Sequence, residues 1–337
     1  MAVIEPEVFR GNIIMSRVRL ARNLDGYPFS VKDGATAREI IKKVNRALVK
    51  CDTFNLYTVS ALDDLTLESM KERHLISSKL ISNKTGGAAL INGDESVCIM
   101  INEEDHVREQ CFMRGLRLSE AYKRLEIIDD ELSKNLDVSY SGRLGYLTAC
   151  PTNVGTGLRA SVMMFLPALT ESGKIGELVQ EVSELGLTVR GLYGEGSRAE
   201  GYIYQISNEI TLGASEYDII RLVEEMTARI CRAERDEEES LYFRHELRTM
   251  DSARKSFGIL TNAVLLGYGE FLKHIAQVKL GAMLGYINIT ETEEIDKLIV
   301  SSRPATLCLS YGKKLSDVDR DLLRAETVGK KLLKLKG

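Results

Sequence analysis

Between Gly145 and Met163 the chain reads GYLTACPTNVGTGLRASVM. It sets Cys150 directly before a proline, then a Gly-Thr-Gly turn, then Arg159 at the head of an apolar run. A thiol, a flexible hinge and a fixed cation so close together suggest a site, although a lone cysteine is more often a small buried hydrophobe. Near the start, Ser16-Arg17-Val18-Arg19-Leu20-Ala21-Arg22-Asn23 alternates apolar and basic residues. Three arginines so close repel one another unless an anion or carboxylates sit between them, and the planar guanidinium favours bidentate phosphate contacts. A strand with a solvated basic face remains the plainer alternative. The run Asn102-Glu103-Glu104-Asp105-His106-Val107-Arg108 is either a solvated loop or a general base with a cation beside it. Finally, Leu187–Gly196 sets glycines around Arg190 and Glu195, marking a strand that ends in a loop able to approach a ligand closely. No GxxxxGK[ST] occurs, so this is not a P-loop.

The elements that must position these residues follow from periodicity. Residues 36–50 form an amphipathic helix with Ile40, Ile41, Val44, Ala47 and Leu48 on one face. Residues 54–61 read as a short strand, and 88–92 with 96–102 as a hairpin across Gly93-Asp94-Glu95. Residues 117–136, 178–185 and 216–233 are helical, and 202–207 is another alternating strand. The charged run from Glu234 to Glu239 is the expected boundary between domains 1–235 and 236–337. Beyond it the chain reads helical, with a capping box at Thr290–Glu293 and an N-cap at Ser316 for the last helix. Strands before residue 210 and helices after it give an α+β part followed by an all-helical part.

The 337 residues are 44% hydrophobic and 28% charged, with a net charge of −4. That is room for two cores and argues against a general nucleic-acid-binding surface. No run suits a membrane span or a signal peptide, so the expected location is the cytoplasm. The six cysteines are scattered without a CxxC pair, which argues against a zinc site or disulfide framework.

SRVRLARN, NEEDHVR, CPTNVGTGLRASVM and RGLYGEG occur in the order and approximate spacing of the phosphagen kinases, the arginine and creatine kinase superfamily, and the chain resembles that family over some 180 residues. Within it, the short segment before the first arginine motif and the helical C-terminal part with RDLLRA look like the bacterial protein-arginine kinases, whose C-terminal domain carries an RDxxRA phosphoarginine-binding motif. One departure is Phe165, where histidine is expected.

The resemblance implies a catalytic domain with an antiparallel β-sheet flanked by helices. It implies ATP as phosphoryl donor, with Mg²⁺ held mainly through the ATP phosphates and no protein metal site. Arg17, Arg19, Arg108, Arg159 and Arg190 would grip the triphosphate. His74 would pack near the base, and the stretches Ser16, Arg17, Val18, Arg19, Leu20; Arg159, Ala160, Ser161, Val162, Met163; and Arg190, Gly191, Leu192, Tyr193, Gly194, Glu195 would wall the nucleotide. Glu104 would be the base, Glu195 a guanidinium clamp, and Cys150 an electrostatic partner of the acceptor and no nucleophile. Arg320, Asp321, Arg324 and Ala325 would bind phosphoarginine, although on spacing alone ion pairs with Asp317 or Asp321 are the better reading. Implied partners are protein substrates with accessible arginines, a zinc-binding activator protein (McsA), the Clp ATPase/protease system, a stress-response repressor and a second copy in a homodimer. A kinase for free arginine or another small guanidino compound, and a catalytically silent phosphoarginine reader, are the alternatives.

Overall fold

The first strand, β1 (Ile13–Arg22), lies at the middle of an eight-stranded sheet, and its alternation decides what the sheet presents on each side. The structure, a computed structural model, describes residues 11–191 and 199–336. After β1 come α1 (Gly34–Leu48), β2 (Phe54–Thr58), α2 (Asp64–Glu72), α3 (Ser78–Ser82), β3 (Ala88–Asn92), β4 (Val97–Ile101) and β5 (Val107–Arg114). Helix α4 (Leu118–Asn135) leads to a small hairpin of β6 (Tyr140–Ser141) and β7 (Gly145–Tyr146). Then follow β8 (Leu158–Phe165), α5 (Pro167–Glu171), α6 (Ile175–Glu184), β9 (Leu187–Gly191) and β10 (Ile203–Asn208). The remainder is helical: α7 (Glu216–Asn262), α8 (Tyr268–Met283), α9 (Thr292–Ser301), α10 (Pro304–Tyr311) and α11 (Asp317–Lys336).

The large sheet runs β2-β3-β4-β5-β1-β8-β10-β9 with antiparallel neighbours throughout. One face carries Val18, Leu20, Val97, Ile99, Cys111, Ala160 and Val162 into the main core, where α1, α4 and α7 lay their apolar stripes. The opposite face is covered at its β3–β4 end by Met70, Leu75, Ile76 and Leu80 packed on Ala89, Ile91, Cys98 and Met100. A third core in the helical part, built on Phe271, Ile275, Ile295 and Val328, also takes in Phe165 and Ile203 from β8 and β10. Phe165, the departure from the expected histidine, is thus an apolar contact between the two parts, with Lys279 Nζ 4.8 Å above its ring.

Three sequence readings need correcting. Arg17, Arg19 and Arg22 do not share a face: Arg22 turns into the main core, where its guanidinium forks onto Asp129 (2.7–3.1 Å) and Tyr146 lies over it at 3.5 Å. Its Nη1 also donates to the carbonyls of Ala21 and Thr156. Replacing Arg22 with methionine leaves Asp129 and two carbonyls without their donor, and is expected to cost about 3–5 kcal/mol in a urea titration. Thr290 does not cap α9; Glu291 holds the N-cap position without a side-chain bond, and Glu293 pairs with Arg114 instead. The third concerns the strand expected to reach residue 61, which ends at Thr58 and gives way to a 3₁₀ turn. The capping of the last helix holds: Asp319 N donates to Ser316 Oγ at 3.2 Å.

The charged run from Glu234 to Glu239 lies inside the 47-residue α7, whose backbone leaves helical geometry at His245. Glu234 itself is buried and accepts hydrogen bonds from Ala168 N and Leu169 N at the start of α5 (2.7 and 2.9 Å). Burial outweighs these bonds and pushes its carboxyl up from 4.5 to about 7. A carboxyl raised on folding binds its proton more tightly in the native state. Its stabilisation is therefore complete below the unfolded value of 4.5 and lost as pH rises through about 7. The melting temperature should fall across that window, and Glu234→Gln should flatten the slope. Among the described residues no helix is long and apolar enough to cross a membrane.

Candidate active site

On the open part of the second sheet face, strand register gathers the cations. Arg17 and Arg19 stand two apart on β1, Arg19 opposite Arg159 of β8, and Ala21 opposite Arg108 of β5. Arg190 of β9 faces Gln205 of β10, which in turn faces Met163 of β8. Directly paired residues project from the same side of a sheet, so all five arginines share one face. The same alternation limits the walls. Arg17, Arg19, Arg159, Ser161 and Met163 belong to this face, whereas Ser16, Val18, Leu20, Ala160 and Val162 turn the other way and are fully buried. Ser16 Oγ is spent on Gly115 O. Those five can contribute backbone only.

Among the described residues this concentration of charge is only weakly compensated. Arg17 donates to Gln205 Oε1 (3.0 Å) and Arg159 to Ser207 Oγ (3.1 Å), both neutral partners. Burial, then Arg108 and Arg159, pull the Arg17 guanidinium down to about 10. Burial and the same kind of neighbours lower Arg19 strongly, and burial with Arg190 and Arg108 lowers Arg159. The Nε groups of Arg19 and Arg159 are buried with no hydrogen-bond partner among the described residues. Buried donors are otherwise nearly always satisfied. An anion with several oxygens fits this set, as a polyphosphate does.

Arg108 is the exception, because Glu103 holds its Nη1 at 3.1–3.2 Å while Ser77 Oγ and Glu104 N donate to the same carboxylate. The loop that carries these acids is pinned from several sides. Asn102 adopts φ 58° and donates to the carbonyls of Ala37 and Gly86. Asp105 accepts from Asn23 Nδ2 (2.7 Å) and Ala149 N (2.6 Å). His106 Nδ1 accepts from Leu24 N while Nε2 meets Pro28 O at 2.9 Å, which requires the neutral Nε2–H tautomer; burial lowers its pKa accordingly. Asp105 thereby ties the loop bearing Glu104 to the segment bearing Cys150. Glu104 itself keeps its carboxylate partly open, 3.8 Å from Lys79 Nζ.

Cys150 is half-buried, its Sγ 3.0 Å from Thr152 Oγ1, at the start of a 3₁₀ turn led by Pro151. The Gly-Thr-Gly hinge that returns the chain to β8 has φ 115° at Gly155, where a Cβ would lie 2.2 Å from Thr211 O. Only glycine fits there. Leu192, Tyr193, Gly194 and Glu195 lie outside the described residues.

His74 adopts φ 63° and lies against this face. Gln110, opposite Arg19, donates to the carbonyls of His74 and Leu75 (3.1 and 2.7 Å) and holds the segment on the sheet. Burial, then Arg303, Arg17 and Arg19, lower the imidazole to about 3, so it is neutral. Asn23, Glu103 and Asp105 lie in runs quoted from the sequence without a separate role, and Gln110 was not singled out; together they brace this face and its bordering loop. Gln110 was recoverable, standing two residues beyond Arg108 on one strand.

In the helical part Arg320 and Arg324 stand one turn apart on α11. Arg320 pairs with Asp317. Arg324 is buried, donating to Ser302 O (2.9 Å), Leu266 O (2.7 Å) and Asp321 Oδ1 (2.6 Å), beside buried Ala325. Among the described residues no three His, Cys, Asp or Glu side chains are grouped to hold a metal ion.

A sheet face of arginines with an acidic loop and a cysteine at its border suits phosphoryl transfer between anionic and cationic partners, and comparison with known proteins agrees. The family model "ATP:guanido phosphotransferase, C-terminal catalytic domain" matches residues 37–237, and the chain belongs to that family of phosphotransferases. Residues 246–337 match the C-terminal domain of the protein-arginine kinase McsB, which places the chain within the protein-arginine kinase group. Two relatives called protein-arginine kinase illustrate this. The one from Caldanaerobacter subterraneus subsp. tengcongensis is 40% identical over 96% of this chain and 97% of its own. The one from Clostridium kluyveri is 43% identical over 96% and 95%. Among solved structures, the substrate-free duplicated taurocyamine kinase from Schistosoma mansoni superposes with a TM-score of 0.60 at 28% identity, over 69% of this chain and 35% of that duplicated one. A lombricine kinase gives 0.60 at 27% identity, over 68% of each chain.

Proposed function

We propose that this enzyme transfers the γ-phosphoryl group of ATP to the guanidinium groups of arginine residues in proteins. The observation that carries the reading is the arginine face with its orphaned buried donors on Arg19 and Arg159, bordered by Glu104 and Cys150. Phosphoryl transfer rests on positioning and on neutralising charge spread over phosphate oxygens. Arg17, Arg19, Arg108, Arg159 and Arg190 supply that neutralisation without a P-loop. Mg²⁺, which the family implies, would be held mainly through the ATP phosphates, and when bound it neutralises further phosphate charge.

The acceptor guanidinium is cationic at neutral pH and a poor nucleophile, its pKa lying above about 12. Glu104 takes a proton from the attacking Nη as the N–P bond forms and the bond from the γ-phosphorus to its bridging oxygen breaks, releasing ADP. Glu195 is the second carboxylate of the clamp, and Cys150 orients the guanidinium electrostatically. Cys150→Ser should lower the rate at least about tenfold, read as kcat on a protein substrate.

Arg320 and Arg324 are read as a phosphoarginine site in which a phosphate displaces Asp317 and Asp321 from their present pairs. Arg324 also holds the carbonyl of Ser302, which gives such binding a physical link to the α10 turn. The products are read as marks for the Clp ATPase/protease system and as the inactivation of a stress-response repressor. Homodimerisation through the helical part and activation by a zinc-binding protein belong to the same reading, in the cytoplasm. Supplying ATP with either free arginine or unfolded casein tests it: phosphate should accumulate on casein, and fast turnover of free arginine without acid-labile label on protein would overturn it.

A further inference from the structure

Besides its apolar packing on Met163 and Phe165, the helical part reaches the arginine face through a contact that is polar and specific. Glu72, the last residue of α2, points its carboxylate at the start of α10, where Ala305 N (3.0 Å), Thr306 N (2.7 Å) and Thr306 Oγ1 (2.8 Å) donate to it. A carboxylate at a helix N-terminus satisfies donors that have no partner within the helix and meets the positive end of its dipole. Two residues along, His74 carries the imidazole that borders the arginines. The residue before α10 is Arg303, mostly buried, whose Nη1 donates to Glu72 O and whose Nη2 stands 3.4 Å from His74 Nε2. A guanidinium can only donate, so Nε2 is the acceptor in that contact, and the ring is aimed by a guanidinium from the other end of the chain.

We propose that Glu72 and Arg303 are positioning residues for the nucleotide: through them the helical domain completes the wall against which the base is held, by docking α10 and fixing the ring of His74. This rests on the reading of His74 as the base-side wall, and it adds a requirement that the catalytic fold alone does not supply. The left-handed backbone at His74 makes such support necessary, because a non-glycine residue at φ 63° persists only where its surroundings fix it. Gln110 fixes the carbonyls from the sheet side and Arg303 fixes the ring from the helical side. The bonds of Glu72 and Arg303 described here run to the start of α10 and to His74, so their effect should fall mainly on the base half of ATP.

The test uses the full chain and two probes, ATP and inorganic tripolyphosphate, the second having phosphates but no base. Affinities are measured by titration calorimetry, with KM for ATP and kcat on unfolded casein alongside. For Arg303→Met we expect ATP affinity to fall and KM to rise about tenfold, with kcat and tripolyphosphate affinity each kept within about twofold. Glu72→Gln keeps one acceptor for α10 and should show the same pattern at smaller size, so the inference does not hang on one variant's folding. Equal loss for both probes would mean general loosening and would overturn the proposal, as would no loss for either. His74→Ala separates the two levels. If it weakens ATP selectively while Arg303→Met and Glu72→Gln do not, the inference fails and the reading of His74 stands. If it changes nothing, the reading of His74 falls and takes the inference with it.

Discussion

Glu104→Gln lowers kcat for protein phosphorylation by about 10²–10⁴, the range general-base catalysis contributes, while KM for ATP changes little. The amide keeps the shape of the side chain and removes its ability to accept the guanidinium proton. The surrounding loop should survive the change, because its bonds use the side chains of Asn102, Glu103, Asp105 and His106 and only the backbone of Glu104, not its carboxylate. An unchanged melting temperature with the rate loss is therefore the expected pair of results. Steady-state kinetics on unfolded casein together with a thermal melt checks both.

Arg19→Met is the second large effect, and its two halves have opposite signs. Arg19 is lowered by burial first and then by Arg17, Arg108 and Arg159, with Glu103 acting the other way. Removing it should cost about 10²–10³ in phosphoryl transfer, as loss of one preorganised charge at a transition state does. The ligand-free protein should nonetheless become more stable by about 1 kcal/mol, since replacing a buried, poorly compensated charge by an apolar side chain is often favourable. A higher melting temperature without nucleotide and a nearly inactive enzyme would show that the face is strained for its ligand. A variant that loses stability and activity together would mean that Arg19 is a structural residue.

Much of this was legible before any coordinates. The helix over residues 36–50 buries the same five residues that its periodicity selects, together with Ala37. The hairpin across Gly93-Asp94-Glu95 forms between β3 and β4 as read. Each is a local pattern, in which period 3.6 or 2 reports the buried face directly. What failed was also local in kind. Arg22 looked like a third member of the basic cluster, but one step in register on a strand reverses the face, and nothing nearby in sequence announces Asp129 as its partner. The opening run was read as a nucleotide wall; alternation turns every second side chain to that face and leaves the residues between them to contribute backbone. Thr290–Glu293 had the letters of a capping box, and the long-range pair of Glu293 with Arg114 accompanies a helix that starts later.

The long-range couplings were the least legible. Asp105 binding Ala149, Gln110 holding His74, and Glu72 receiving α10 each join residues far apart in the chain. Asp105 lies within a stretch quoted from the sequence, yet its role depends on which backbone arrives opposite it. The five arginines could be named through resemblance, but their convergence on one face and the Nε groups of Arg19 and Arg159 left without partners among the described residues are facts of register and packing.

The most direct test is mass spectrometry of unfolded casein incubated with the full-length enzyme, ATP and Mg²⁺, handled throughout at neutral or alkaline pH. The account predicts phosphate on arginine side chains, lost on acid treatment and absent when Glu104→Gln replaces the wild type. Phosphate on serine, threonine or tyrosine instead, or label on arginine that persists undiminished with Glu104→Gln, would contradict it.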